Sequence, residues 1–258
     1  MITIICGKPG AGKTSLNAKF LLDGLLSSRK RCGPSCDQID FLNSSRFKFR
    51  YPSDGILSFS NFSFINKSSV RYGIVSKRLD PFRMALPNED IPFDLFPPYS
   101  FFHIMEGQVY WNSRRRGLRD CVSRFFENHR HNHFEIFIDV QRAGLIDANI
   151  REIASRFIEV QKITNKTNLL GLVLRSKWDC LEFDSWQEYE HYLNSGSLSS
   201  LGKMTTYSHE GNIFSCYSSY ENFPAFYKNC ENCSLYDSYF SLEDETFLTM
   251  PKNYYEGG

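Results

Sequence analysis

The opening residues limit the fold more than any other stretch. ITIIC, residues 2–6, is a β-branched run that predicts a strand. It runs directly into GKPGAGKT and then into a segment where Leu16, Phe20, Leu21 and Leu25 recur at helical spacing. A strand, a glycine-rich turn and a helix in that order form a cradle for phosphate. The glycines let successive backbone N–H groups converge on one point, and the helix N-terminus adds its positive dipole end.

Within the turn, Gly7, Gly12, Lys13 and Thr14 satisfy GxxxxGK(S/T) without a mismatch, the P-loop pattern. The spacing predicts that Gly7, Lys8, Pro9, Gly10, Ala11, Gly12, Lys13, Thr14 and Ser15 bind a nucleotide, with ATP and Mg²⁺ as the implied ligands. The Lys13 ammonium would reach the β and γ phosphates, and the Thr14 hydroxyl would hold the metal. A glycine-rich turn of structural purpose only is the competing reading, and the flanking strand and helix weigh against it.

Hydrolysis needs, beyond the cradle, a metal-side carboxylate and a group that orients water. Two apolar runs offer carboxylates. FFHIMEGQ, residues 101–108, ends on Glu106 with Met105 before it, and EIFIDVQRAG carries Asp139 and Gln141. Both read as buried strands of a parallel sheet, where helices cover both faces and the apolar run is continuous. After the second run, Asp147 is placed to cap a helix bearing Ile146, Ile150, Ile153 and Phe157 on one face. Leu169 to Leu174 reads as a further strand.

Strands alternating with helical stretches predict an α/β fold, a doubly wound and mainly parallel sheet with helices on both faces and a small C-terminal α+β extension. The expected core spans residues 1–176, with a β-rich insertion at about 33–100. The expected extension, 177–258, holds a helix at SWQEYEHYL and a hairpin formed by KMTTYSHEG and NIFSCYSSY. With 258 residues, one domain and an appendage suffice.

A formal net charge of +1 leaves no global pull toward nucleic acid or membrane, so any such partner must meet a local patch. Arg114, Arg115, Arg116 and Arg119 are the densest candidate, as a strip along phosphates, a finger for a neighbouring subunit, or a solvated face. The N-terminus lacks the pattern of a signal peptide, and no apolar run reaches the ~18 residues of a membrane span, which predicts a cytoplasmic protein. Its cysteines are then expected as thiols; a zinc site from Cys32, Cys36, Cys230 and Cys233 is disfavoured by the spacing. His129, His131 and His133 alternate, with a structural role preferred over metal binding. Asn61 and Asn66 head glycosylation-like triplets and are read as loop residues.

Taken in order, the motifs resemble the Zot family, named after zonula occludens toxin, which includes the gene I assembly ATPase of filamentous phages in the FtsK-HerA branch of P-loop ATPases. They are GKPGAGKT, IMEGQ at 104–108, Arg114, HRH at 129–131, FIDVQ at 137–141 and LIDANIR at 145–151, with GNIFSCYSSY as a weaker segment. The resemblance implies Glu106 as the water-polarising carboxylate, Gln141 as the γ-phosphate sensor and Arg114 as an arginine contact. It implies a motor of phage or prophage assembly in the host cytoplasm, at the inner membrane. The implied partners are a ring of identical subunits, phage assembly proteins and single-stranded DNA, with membrane contact indirect or through a further segment.

Met105 departs from the family pattern, which has an aspartate there. A thioether cannot hold a metal-bound water as a carboxylate does, which bears on hydrolysis and leaves phosphate binding untouched. The family places the sensor strand between the P-loop strand and the acidic strand, so Asp139 is the candidate replacement at the metal site, alongside Thr14. A capping or pairing role for Asp139 is the alternative. Two other functions stay open at this point: a nucleotide-binding scaffold without turnover, and a DNA-translocating packaging ATPase.

Overall fold

The computed structural model describes residues 1–27, 58–62, 76–78, 99–114, 118, 120–196 and 202–217. Its centre is β1 (Ile2–Cys6), five residues without solvent exposure, which is what a β-branched run needs to be stable in the middle of a sheet. The glycine turn then leads into α1 (Lys13–Ser27). The remaining strands are β2 (Ser58–Ser60), β3 (Ser76–Arg78), β4 (Phe101–Ile104), β5 (Glu135–Asp139), β6 (Arg156–Thr167), β7 (Val173–Phe183) and β8 (Lys203–Glu210). Three more helices are α2 (Asp120–Glu127), α3 (Ala148–Ile153) and α4 (Trp186–Ser195).

All eight strands join one sheet in the order β3-β2-β4-β5-β1-β6-β7-β8. Pairing is parallel from β3 through β6, and β7 and β8 close that edge antiparallel. The fold is therefore the expected mainly parallel α/β sheet. β5 lies between β1 and β4, so the ends of the two acidic runs sit side by side next to the phosphate cradle.

Alternation along β1 divides the core into two layers. Ile2, Ile4 and Cys6 face a cluster that takes Val122, Phe125 and Phe126 from α2, Ile150 from α3 and Tyr189 from α4. Ile5 faces the other cluster, with Leu16, Ala18, Leu21 and Leu22 of α1. Each fully buried Leu, Ile or Phe contributes roughly 1.5–3 kcal/mol of transfer free energy, so both layers are needed to hold the sheet. Helices cover both faces.

Several local expectations change. The proposed division at residues 176 and 177 falls inside β7, a strand of the main sheet; the stretch at about 33–100, expected to carry one sheet strand besides an insertion, gives that sheet both of its described strands, β2 and β3. Leu169 to Leu174 is not a separate strand: residues 168–172 form the turn joining β6 to β7, and only Val173 and Leu174 enter a strand. The helix capped by Asp147, whose carboxylate accepts from Asn149 N at 2.9 Å, stops at Ile153; Phe157 lies in β6.

The C-terminal hairpin is also different. β8 pairs with β7, and Ile213–Ser215 form a single 3-10 turn capped by Asn212, with Ile213 drawn into the layer beside α1. The helix expected at SWQEYEHYL is α4, with Ser185 accepting from Glu188 N at 3.2 Å as its cap. Among the described residues no helix is long and apolar enough to cross a membrane.

Candidate active site

The glycine turn closes around the backbone as its sequence requires. Gly7, Gly10 and Gly12 have φ of +146°, +78° and +97°, in the region that favours glycine. At Gly7 a Cβ would lie 2.6 Å from the Val160 carbonyl oxygen of β6, so no other residue fits there. At Gly10 nothing lies within 4 Å of that position, which leaves open space over the middle of the loop. Ala11 N donates to Lys8 O at 3.1 Å and the Lys13 ammonium donates to the same oxygen at 3.3 Å, so the lysine lies folded over its own turn.

Ser15 is buried and donates to Gly12 O at 2.8 Å. Its oxygen accepts from the Trp178 indole at 3.0 Å, which ties β7 to the first turn of α1.

The end of β5 supplies the carboxylate. Asp139 has no solvent exposure; one oxygen accepts from Glu106 N at 2.7 Å, and the other, Oδ2, is buried without a hydrogen-bond partner. Burial pushes the Asp139 carboxyl up to about 7, and the Glu106 charge adds to the rise. The Glu106 amide, the Lys13 ammonium and the Thr14 hydroxyl pull it the other way. A buried carboxylate oxygen with no hydrogen bond of good geometry among the described residues, close to the Thr14 hydroxyl and the loop lysine, is a donor set that suits a hard cation such as Mg²⁺.

The Met105 side chain is 2% exposed and belongs to the layer beside α1, with Leu16, Leu21 and Phe62; a thioether there supplies no metal-side carboxylate. The backbone around it is held by Asn61, which accepts from Met105 N at 2.7 Å and donates to Met105 O at 2.9 Å. Asn61 lies in the bend after β2, a loop position as expected, and is a buried clamp there.

One residue on, the chain turns sharply. Glu106 adopts φ 50° and ψ 48°, a left-handed conformation costing a non-glycine residue about 1–3 kcal/mol. The strain lifts the Glu106 side chain out of the core to a half-buried position, where Gln108 donates to it. Gly107 follows, and a Cβ there would come 2.2 Å from Ile138 Cγ2 of β5, so glycine is required.

Glu106 and Asp139 therefore end neighbouring strands on the edge of the sheet that carries the cradle, where open α/β sheets bind ligands. Gln141 stands two residues past Asp139 on the same edge and is exposed. Arg114 is exposed on the turn after Trp111, with its backbone N on Asn112 Oδ1 at 2.9 Å. No hydrogen bond or ion pair among the described residues brings its side chain to the cradle. Arg115, Arg116 and Arg119 lie outside the described residues, as do Asn66, Cys32, Cys36, Cys230 and Cys233.

The three histidines go different ways. His129 is buried with Nδ1 on Phe126 O at 2.5 Å at the end of α2, His131 is exposed, and His133 stacks on Tyr99 with centroids 4.6 Å apart.

Several residues near the site gave little sign of themselves in the sequence. His103 and Asn17 form a buried pair at 2.9 Å joining β4 to α1, and burial drives the His103 pKa down to about 3, so the ring is neutral. Tyr217, read as a packing residue, does pack against the α1 layer. Burial raises its hydroxyl to about 12, with Ser15 pulling it down and Asp139 pushing it up. Trp178 reaches Ser15 from 163 positions away. None of these carries a spacing signal, because each meets its partner across a long stretch of sequence.

The strand order and the glycine turn define the class: this is the P-loop NTPase fold. Among solved structures, the chain is similar to the N-terminal domain of zonular occludens toxin from Neisseria meningitidis. The TM-score is 0.49 with 18% identity, over 84% of this chain and 98% of that one. It is also similar to the genome packaging NTPase B204 from Sulfolobus turreted icosahedral virus 2. In complex with AMP that protein gives a TM-score of 0.40 and 10% identity over 79% of this chain and 95% of that one. In complex with AMPPCP the values are 0.41 and 11%, over 82% and 97%. No protein-family profile and no curated protein matches the sequence.

Proposed function

We propose that this chain binds ATP with Mg²⁺ and hydrolyses it, using Asp139 in place of the carboxylate that Met105 does not supply. The observation that carries the reading is the buried Oδ2 of Asp139, without a hydrogen bond of good geometry among the described residues and close to Thr14, at the end of the strand next to the cradle. Thr14 and Asp139 are the residues that would hold the metal. Magnesium, when bound, neutralises phosphate oxygens and supports charge in the transition state.

The chain's own residues do the rest. Backbone N–H groups of the turn, Pro9 having none, and the Lys13 ammonium grip the phosphates, Glu106 orients and polarises water, and Gln141 contacts the γ-phosphate. Arg114, exposed on its turn, serves the cradle of a neighbouring subunit in a ring. The ordered motifs from the P-loop to LIDANIR support a motor of filamentous phage or prophage assembly. It would work with phage assembly proteins, with single-stranded DNA as a candidate substrate, at the cytoplasmic face of the host inner membrane.

Nucleotide affinity and phosphate release, measured across a Mg²⁺ titration in wild type, Asp139→Asn and Lys13→Ala, test this reading. Asp139→Asn should lower turnover on the order of 10²–10³-fold and remove most of the Mg²⁺ dependence of binding. Lys13→Ala should weaken binding itself. Unchanged Mg²⁺ dependence in Asp139→Asn would return the residue to a pairing role, and wild-type binding without any turnover would make the chain a nucleotide-dependent scaffold.

A further inference from the structure

β6, β7 and β8 continue past the end of β1 as a three-stranded arm, with β8 alongside β7 as far as Arg175 opposite Glu210. β6 runs parallel to β1, so the arm rises from the edge that carries the cradle, and its base packs on Gly12 through Ile163 and Trp178. Its tip is apolar and bare: Leu169, Leu170, Leu172 and Leu174 are 106%, 83%, 59% and 47% exposed. Contiguous exposed leucines on a soluble domain mark a contact surface.

The tip is built to leave water. Asn168 folds the turn onto itself: its side chain accepts from Leu170 N at 2.9 Å and Leu172 N at 2.8 Å. Its backbone accepts from Gly171 N at 3.0 Å and donates to Leu172 O at 2.9 Å. The amides between the leucines are thus satisfied internally, as insertion into a lipid interface requires.

Charge selects the partner. Between Glu159 and Asp179 the chain holds Lys162, Lys166, Arg175 and Lys177 and no acidic residue. Arg175 pairs with Glu210 and Lys177 with Asp179 in exposed, weak contacts, whereas Lys162 and Lys166 form no ion pair among the described residues. A collar of long cationic side chains below a leucine tip matches an anionic bilayer, into which lysines extend their heads toward the lipid phosphates. A second copy of the tip would bring like charges together, and leucine is under-represented among the anchors of protein interfaces.

We infer that the β6–β7 tip inserts into the surface of an anionic membrane, with Leu169, Leu170 and Leu172 in the acyl boundary and Lys166, next to the turn, on the headgroups. The inference shares the bilayer setting with the proposed function but does not depend on nucleotide turnover.

Flotation of the full chain with phosphatidylcholine vesicles, with and without phosphatidylglycerol, tests it. Wild type should float with the anionic vesicles and not with the neutral ones. Leu169→Ser with Leu170→Ser should lose binding at least about tenfold, and Lys166→Gln about fivefold on anionic vesicles only. Both variants should keep wild-type thermal unfolding and nucleotide affinity. Wild type remaining in the soluble fraction, or floating as strongly after the leucine substitutions, overturns the inference. So does concentration-dependent self-association abolished by those substitutions without vesicle binding, which would assign the tip to a second copy. Loss of nucleotide binding in wild type would sink the proposed function while leaving vesicle binding in place.

Discussion

β4 and β5 lie side by side in register, from Phe101 opposite Glu135 to Ile104 opposite Ile138, and yet they end in opposite ways. β5 runs on to a carboxylate that stays inside the sheet and leaves one oxygen without a well-aligned hydrogen bond at the cradle. β4 runs on to a thioether packed among aliphatic side chains, then throws its glutamate outward through a left-handed turn. The site thus holds two carboxylates with separate surroundings, one buried and raised to about 7, one half-buried beside Gln108. Position at the cradle matters more than which strand supplies the group.

The largest effect should come from Glu106→Gln. If the outward glutamate orients water, phosphate release falls on the order of 10²–10⁴-fold while nucleotide affinity holds. Equal turnover would break the comparison by leaving Asp139 as the sole working carboxylate.

Met105→Asp puts an acid where the pattern that the motifs resemble has one, and should fail in structure. A carboxylate placed among Leu16, Leu21 and Phe62 has no partner, so urea denaturation should show a loss of about 3–5 kcal/mol with no gain in turnover. Higher turnover or tighter Mg²⁺ binding would instead show that β4 can still reach the metal. A smaller effect is expected for Asn61→Ala, which strips both partners from the Met105 backbone and should cost about 1–3 kcal/mol in the same denaturation experiment.

The cradle was legible in the sequence because it is local: β1, the glycine turn and α1 are consecutive, and their glycines answer to backbone φ that only glycine holds comfortably. Asp139 was legible as an acid at the end of an apolar run. The anchoring of Met105 was not, since its backbone is held by Asn61 from 44 positions away. The leucine run at 169–174 misled because an apolar stretch reads as buried strand by periodicity alone, whereas Asn168 and Gly171 fold it into an exposed turn. The β7–β8 pairing, likewise, is a long-range contact with no short-range mark.

The bond between Trp178 and Ser15 carries a practical consequence. Of the three tryptophans, Trp111 and Trp186 belong to the opposite layer, so Trp178 alone has its ring against the phosphate loop. Ultraviolet emission from that indole gives an unlabelled optical gauge of the loop, one whose colour and intensity shift whenever an occupant rearranges Ser15.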